Sequence, residues 1–312
     1  MNNETSASKP TVGLIGIGSM GWPMGARVRQ AGYALTAIDA APGRADQFAK
    51  ETGAAAAKDA AAVARASDVV ITMLPTSQDV AAALGGDNGV LAGLQPGSVV
   101  VEMSSGMPSR TRELAELVAA KGGTLIDAPV SGGVTRAKTG ELAIMVGGDE
   151  AAIETARPIL QAMGNSVTRV GDIGSAHAMK ALNNLVSAGG FLIGIEAMLI
   201  GSKFGIDENV MVDILNASTG MNNSTQKKFR QFVLSRAFNA GFGLDLMAKD
   251  LTIALDLARE TATPVPFAAL CREMWASAAA MLGKGQDHTA MAKLSETLAH
   301  YELGRDAEAP KA

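Results

Sequence analysis

Between Thr11 and Gly171, short apolar runs rich in β-branched residues alternate with stretches of helical length: "TVGLIG", "MGARVRQAG", "ALTAID", "GRADQFAKET", "DVVITML", "SVVVEM", "SRTRELAELVAAKGG" and "TLIDAPV" follow one another. Strands apolar on both faces belong in a sheet covered on both sides, and the intervening stretches have the length that parallel crossovers need. This pattern predicts a doubly wound α/β domain. Two further runs, "LAIMVGG" and "SVTRVG", flank the helical "EAAIETARPILQAMG" and carry the sheet on to about Gly171. The alanine-rich "GAAAAKDAAAVARA" reads as a strand followed by a helix.

After Gly171 the strand signal stops, and the remainder reads as helices punctuated by "FGID", "STGMNN", "NAGFG" and "TPVPF". No proline or Ser/Gly linker separates the halves, so a long helix starting near Gly174 is expected to connect them directly. The expected organisation is a flexible tail over 1–10, a sheet domain over 11–172 and an all-α domain over 173–312. With 312 residues, 47% of them hydrophobic, two cores can be filled. The run "LVSAGGFLIGIEAMLI" is short of the roughly 20 residues that span a bilayer and holds three glycines and a glutamate, so a buried helix is expected and no membrane.

Charge narrows the partners. Lys plus Arg number 27 against 31 Asp plus Glu, a formal charge of -4, without a run of five or six like charges, which argues against nucleic acid. The first ten residues, "MNNETSASKP", have no apolar core of a signal peptide, and Cys271 has no disulfide partner, so a cytoplasmic protein is expected. Cys271 reads as a small core residue.

The first chemical motif is "GIGSMG", running Gly16, Ile17, Gly18, Ser19, Met20, Gly21 between a strand and a helix. The first glycine permits the tight turn, the second lets the backbone approach a pyrophosphate, and the third lets the helix pack on the strand. Asp39 ends the next strand, 18 residues past Gly21, where a carboxylate accepts both ribose hydroxyls of an adenine dinucleotide. That carboxylate would repel the 2′-phosphate of NADP, and the next basic residue, Arg44, comes five positions later, so NAD is favoured over NADP. "MLP" (Met73, Leu74, Pro75) and "MSS" (Met103, Ser104, Ser105) close later strands, at the edge where such sheets bind ligands.

"DAPVSGG", Asp127 to Gly133, also ends a strand, and Ser131, Gly132 and Gly133 offer a hydroxyl and unshielded amides that can receive a carboxylate. In "GDIGSAHAMKALNN", Lys180 heads a stretch whose only ionisable residue up to Ile200 is Glu196. On a helix Ala176, His177 and Asn184 share its face, and a lysine with an amide one turn away can grip one hydroxyl or carbonyl oxygen. The bland reading is a lysine at a helix rim reaching water along its stem. No second histidine or carboxylate is spaced near His177 for a metal site or a triad, so a surface or hydrogen-bonded structural histidine is expected and no metal site. Lys249 and Asp250 in "LDLMAKDLTIALDLA" read as an exposed ion-pairing face.

In this order, "GLIGIGSMGWPM", "DAPVSGGVTRAKTGELAIMVGG", "GDIGSAHAMKALNN" and "MAKDLTIALDLA" resemble the β-hydroxyacid dehydrogenase family, most nearly the 3-hydroxyisobutyrate dehydrogenases and tartronate semialdehyde reductases, from Thr11 to about Leu298. The resemblance implies a Rossmann-type NAD-binding domain followed by an all-α substrate and oligomerisation domain. It implies that Ser131, Gly132 and Gly133 hold the substrate carboxylate, that Lys180 is the catalytic acid/base and that Asn184 orients the substrate. Lys249 would lie by the nicotinamide and substrate, and Leu74, Pro75 and Ser105 would contact NAD. Desolvation at the head of an apolar helix would favour the neutral amine that Lys180 needs as a base.

Two departures stand out: family members commonly have glycine at Ala176 and glutamine at His177, and the added methyl and ring would narrow the space beside the nicotinamide. Lys180 separates the chain from the related imine reductases, where that position is usually not lysine. The expected activity is NAD-dependent interconversion of a small 3-hydroxy acid and its semialdehyde or oxo acid, in a homodimer or homotetramer. A reductase of tartronate semialdehyde or a larger substrate is the alternative. A dinucleotide-binding scaffold without chemistry would be expected to lose Lys180, Asn184 or the "SGG" loop, and all are present.

Overall fold

In the computed structural model, which describes residues 9–304, nine strands form one sheet. They are β1 (Val12–Ile15), β2 (Leu35–Ile38), β3 (Ala55–Ala56), β4 (Val69–Thr72), β5 (Val99–Glu102), β6 (Thr124–Asp127), β7 (Val130–Ser131), β8 (Leu142–Gly147) and β9 (Gly164–Gly171). The expected tail over 1–10 lies outside the described residues apart from Lys9 and Pro10. The spatial order is β3-β2-β1-β4-β5-β6-β8-β7, with β9 beside β8. From β3 to β6 all pairings are parallel.

Every residue of β1, β4 and β5 is buried, because helices cover both faces. Alternate residues feed two apolar layers: Val12, Leu14, Ile71 and Val101 with Met24 and Phe48 on one side, Ile15, Val70 and Val100 with Val63 and Leu84 on the other. At the far edge the parallel pattern changes, and β8 runs antiparallel to β6 and β7. Only residues 132–141 separate β7 from β8. That is fewer than a parallel crossover takes, so the chain folds back on itself.

A single helix, Ser175–Phe204, runs 30 residues, and the division of the chain into two compact units falls inside it, between Lys180 and Ala181. Among the described residues it is the one helix long and apolar enough to cross a membrane by length and composition, and half of that window is buried in the fold. The second unit is helical, with Leu244–Glu260 and Pro266–Leu282 as its longest helices beyond that one. Phe191, Phe229, Trp275, Leu251 and Cys271 are buried in its core. Burial pushes the Cys271 thiol up to about 11, which fits a core residue and not a nucleophile.

Candidate active site

The strand order reverses between β1 and β4, and the glycine loop lies at that reversal. Gly16 has φ +96°, and a Cβ there would stand 2.3 Å from the Met73 carbonyl oxygen. A Cβ on Gly21 would stand 2.0 Å from the Gly16 oxygen, so the helix Gly21–Gln30 is seated directly on the loop. At Gly18 a Cβ would meet nothing within 4 Å, and the backbone is exposed. No side chain caps the start of the helix. The loop thus offers an open, unshielded backbone before a helix N-terminus, which fits a pyrophosphate. Ser19 is exposed on the loop, while Met20 packs against the core.

Asp39, just past β2, accepts hydrogen bonds from the amides of Ile17 (2.6 Å to Oδ2) and Ala41 (2.8 Å to Oδ1). Each carboxylate oxygen keeps a second lone pair, so Asp39 can still accept from ribose hydroxyls. Arg44 turns back to the same loop, with Nε 2.5 Å from the Ile17 oxygen and its guanidinium 5.1 Å from the Trp22 ring centroid. Leu74 and Pro75 follow β4 and Ser105 follows β5. The Leu74 amide donates to Ser104 Oγ at 2.9 Å, tying the two strand ends together. The loop, Asp39 and these strand ends fit a dinucleotide.

Ser131 is the last residue of β7, in register with Ala143. Gly132 and Gly133 follow with φ +134° and +66°. Side chains rarely adopt either conformation, and a Cβ on Gly132 would also collide with Arg136 at 2.7 Å. Two consecutive exposed glycine amides therefore stand beside the Ser131 hydroxyl.

Of the two expected readings of His177 the structure shows the hydrogen-bonded structural one: the ring is buried between two carboxylates that close neighbouring strands. Its Nε2 lies 2.8 Å from Glu102 Oε2 at the end of β5 and 3.0 Å from the Ser104 carbonyl. Its backbone amide donates to Asp127 Oδ2 at the end of β6 at 2.8 Å, and the Gly174 amide donates to Asp127 Oδ1 at 2.8 Å. Nδ1 is 2.8 Å from Thr111 Oγ1, whose own proton goes to the Met107 carbonyl. With the Thr111 proton on Met107, Nδ1 donates as Nε2 does, an arrangement that suits an imidazolium.

Burial alone would push this ring down, but the charge of Glu102, its hydrogen bond and Asp127 outweigh it and hold the His177 pKa above its ordinary value. For Glu102, burial pushes up, but His177 and the Ser104 donors together pull down further, so its carboxyl lies below the usual range. The ring is held at the strand ends and anchors the start of the long helix there.

One turn on, Lys180 is 9% exposed, not the water-reaching rim lysine of the bland reading. Lys180, Asn184, Ser187 and Phe191 fall on one stripe of the long helix. Asn184 is buried, and its Nδ2 donates to Asp250 Oδ2 at 2.6 Å. Asp250 is 1% exposed, which corrects the expected exposed face, and Lys249 Nζ lies 3.4 Å from its Oδ1. Asp250 thus orients Asn184 from the helix Leu244–Glu260, a role invisible before the helices were paired. Glu102, Asp127 and Thr111 were equally unreadable as partners of His177, since they stand 75, 50 and 66 residues away.

Residues 11–171 match the NAD binding domain of 6-phosphogluconate dehydrogenase, and residues 174–295 match the NAD-binding family of NADP-dependent 3-hydroxyisobutyrate dehydrogenase. The chain is 36% identical over 288 residues to 2-(hydroxymethyl)glutarate dehydrogenase of Eubacterium barkeri, covering 92% of this chain and 95% of that protein. It is 37% identical over 279 residues to mitochondrial 3-hydroxyisobutyrate dehydrogenase of Mus musculus, covering 88% and 83%. The solved 3-hydroxyisobutyrate dehydrogenase of Mycobacterium tuberculosis with L-serine superposes with a TM-score of 0.84 at 31% identity, covering 93% of this chain and 99% of that one.

Proposed function

The chain belongs to the β-hydroxyacid dehydrogenase family, and from that premise we propose how it works as a nicotinamide-dinucleotide-dependent 3-hydroxyacid dehydrogenase. The substrate is a small 3-hydroxy acid, interconverted with its semialdehyde or oxo acid. The observation that carries this reading is the buried Lys180 on one helical stripe with Asn184, whose amide Asp250 orients.

The Ser131 hydroxyl and the amides of Gly132 and Gly133 receive the substrate carboxylate. Lys180 takes the hydroxyl proton, and Asn184, held by Asp250, keeps the oxygen in line for that transfer. Lys249 adds positive charge beside the reacting oxygen. When bound, the dinucleotide supplies the hydride acceptor. The loop from Gly16 to Gly21, with Ile17, Ser19 and Met20, and the strand-end residues Leu74, Pro75 and Ser105 hold it in place.

NAD is the preferred dinucleotide in this proposal. Asp39 presents a carboxylate where a 2′-phosphate would come, and Arg44 Nε is engaged by the Ile17 carbonyl. The protein acts in the cytoplasm as a homodimer or homotetramer, without nucleic acid or membrane. Val186, Ile193 and Ile200 are 76%, 54% and 72% exposed along one side of the long helix, and a second copy would cover them.

The test is NAD- and NADP-linked oxidation of 3-hydroxyisobutyrate, D- and L-glycerate, 3-hydroxypropionate and 2-(hydroxymethyl)glutarate, with Lys180→Ala beside the parent protein. Turnover of at least one substrate, faster with NAD, and its fall by about 100-fold or more in Lys180→Ala with NADH binding retained, is the expected result. A Lys180→Ala protein that keeps most of its activity overturns the mechanism.

A further inference from the structure

The segment after the short helix Asn223–Lys227 lies against the long helix within the second unit. Asn222 Nδ2 reaches the Gly190 carbonyl at 3.4 Å, and Phe229 packs so closely under Gly194 that a Cβ there would stand 2.5 Å from its ring. Lys228 lies between these two anchors in sequence, and its side chain runs to Ser187, where Nζ donates to Oγ at 3.1 Å. The ammonium also lies 5.7 Å from the centroid of the Phe191 ring. Ser187 is on the Lys180–Asn184 stripe, three residues beyond Asn184 and so about 4.5 Å farther along the axis.

Lys228 is half-buried, and among the described residues no carboxylate forms an ion pair with it. The ionisable groups that face it are Asp287 and His288, just ahead of and within the turn His288–Met291. Asp287 is committed elsewhere: it accepts from the amides of Gly241, Phe242 and Thr289 and from the Thr289 hydroxyl. Burial and the neighbouring Lys228 pull His288 down to about 4, against the opposing pull of Asp287, so its ring is neutral at pH 7. The result is a partly desolvated cation whose nearest acid is already occupied. Burial lowers it to about 8, with Asp287 only partly opposing, so it is still mainly charged at pH 7.

We propose that Lys228 reads the distal end of the substrate, which is a 3-hydroxy acid carrying a second carboxylate on a short chain. This rests on the dehydrogenase reading above. A substrate whose hydroxyl lies at Lys180 and Asn184 and whose chain follows the stripe brings its far end to Ser187. A carboxylate there gains a charge-assisted hydrogen bond from Lys228 and the Ser187 hydroxyl as a second donor, while the neighbouring Asp287 is held by its own amide and hydroxyl donors. An alkyl tail would leave the ammonium partly desolvated and without a counter-ion. Lys228 is thus a specificity residue that takes no part in proton or hydride transfer.

The experiment is calorimetric binding of glutarate and of butyrate to the NADH-saturated protein, with turnover of 2-(hydroxymethyl)glutarate and 3-hydroxyisobutyrate measured in parallel. Glutarate should bind at least tenfold more tightly than butyrate at pH 7. That ratio should collapse toward one in Lys228→Met and persist in Lys228→Arg. In the unaltered protein it should shrink as pH rises from 7 to 9.5, an arm that needs no variant to fold. Both ligands share one carboxylate, so the ratio cancels any effect of pH on the binding of that common end. Equal binding of the two acids, or a preference that survives both Lys228→Met and pH 9.5, overturns the proposal. A Lys228-dependent glutarate preference without turnover of any hydroxy acid would support this binding assignment and overturn the dehydrogenase reading instead.

Discussion

The imidazolium of His177 and the carboxylate of Glu102 form a buried charge pair three residues before Lys180, and its two ends titrate in opposite directions. His177, with its pKa raised by folding, stabilises the native state fully below its unfolded value of about 6.5. That contribution is lost as pH climbs through the raised value. Glu102, with its pKa lowered, contributes above its unfolded value of about 4.3 and loses that contribution as pH falls through the lowered one. The double variant Glu102→Gln/His177→Gln keeps hydrogen-bonding groups but does not titrate. Relative to it, the unaltered protein should be most stable between pH 5 and about 6.5, with the difference in melting temperature shrinking on both sides; a pH-independent difference would refute the charged pair. Truncating His177 alone to alanine leaves Glu102 buried without its counter-ion and should cost about 3–5 kcal/mol by denaturant titration. None of this was legible from the chain, because local spacing shows only i±3 and i±4 neighbours and every partner of the ring comes from another element. Lys180, Ser131 and Asp39, by contrast, are readable because each is marked by local text: an apolar run, a glycine pair, a strand end.

At the scale of elements, the strand-loop-helix unit from β1 to Gln30 shows how two glycines in one motif differ physically. Gly21 is obligatory for packing, since a Cβ would stand 2.0 Å from a backbone oxygen. Gly18 is free of contact. Gly21→Ala should therefore lower stability by about 1–3 kcal/mol and weaken NADH binding together. Gly18→Ala should leave the melting temperature nearly unchanged and weaken NADH binding alone, because the methyl stands where the pyrophosphate approaches. Thermal melts and NADH fluorescence titration separate the two, and equal stability losses would contradict the geometry. The parallel strands β1 to β6 were readable because burial on both faces leaves unbroken apolar text such as "VVIT" and "VVVE". The antiparallel return of β8 was not, because "LAIMVG" reads the same in either direction and only the shortness of residues 132–141 decides it.

At the scale of the whole molecule, the exposed apolar side of the long helix predicts self-association. Val186, Ile193, Ile200 and Phe204 stand too exposed for a helix whose opposite side carries Phe191, Ile195 and Met198 in the core. Light scattering should give at least a dimer, and Val186→Glu with Ile200→Glu should shift it toward monomer; a monomer at every concentration would refute the expectation. The same helix has another consequence. The division between the two units falls within continuous helical hydrogen bonding and not in a loop. A protease seeking the connection meets a rod in which cleavage requires local unfolding of a turn bearing both Lys180 and Asn184. Limited digestion should trim exposed loops and leave no stable fragment ending near Lys180, so the two units survive proteolysis together or are lost together.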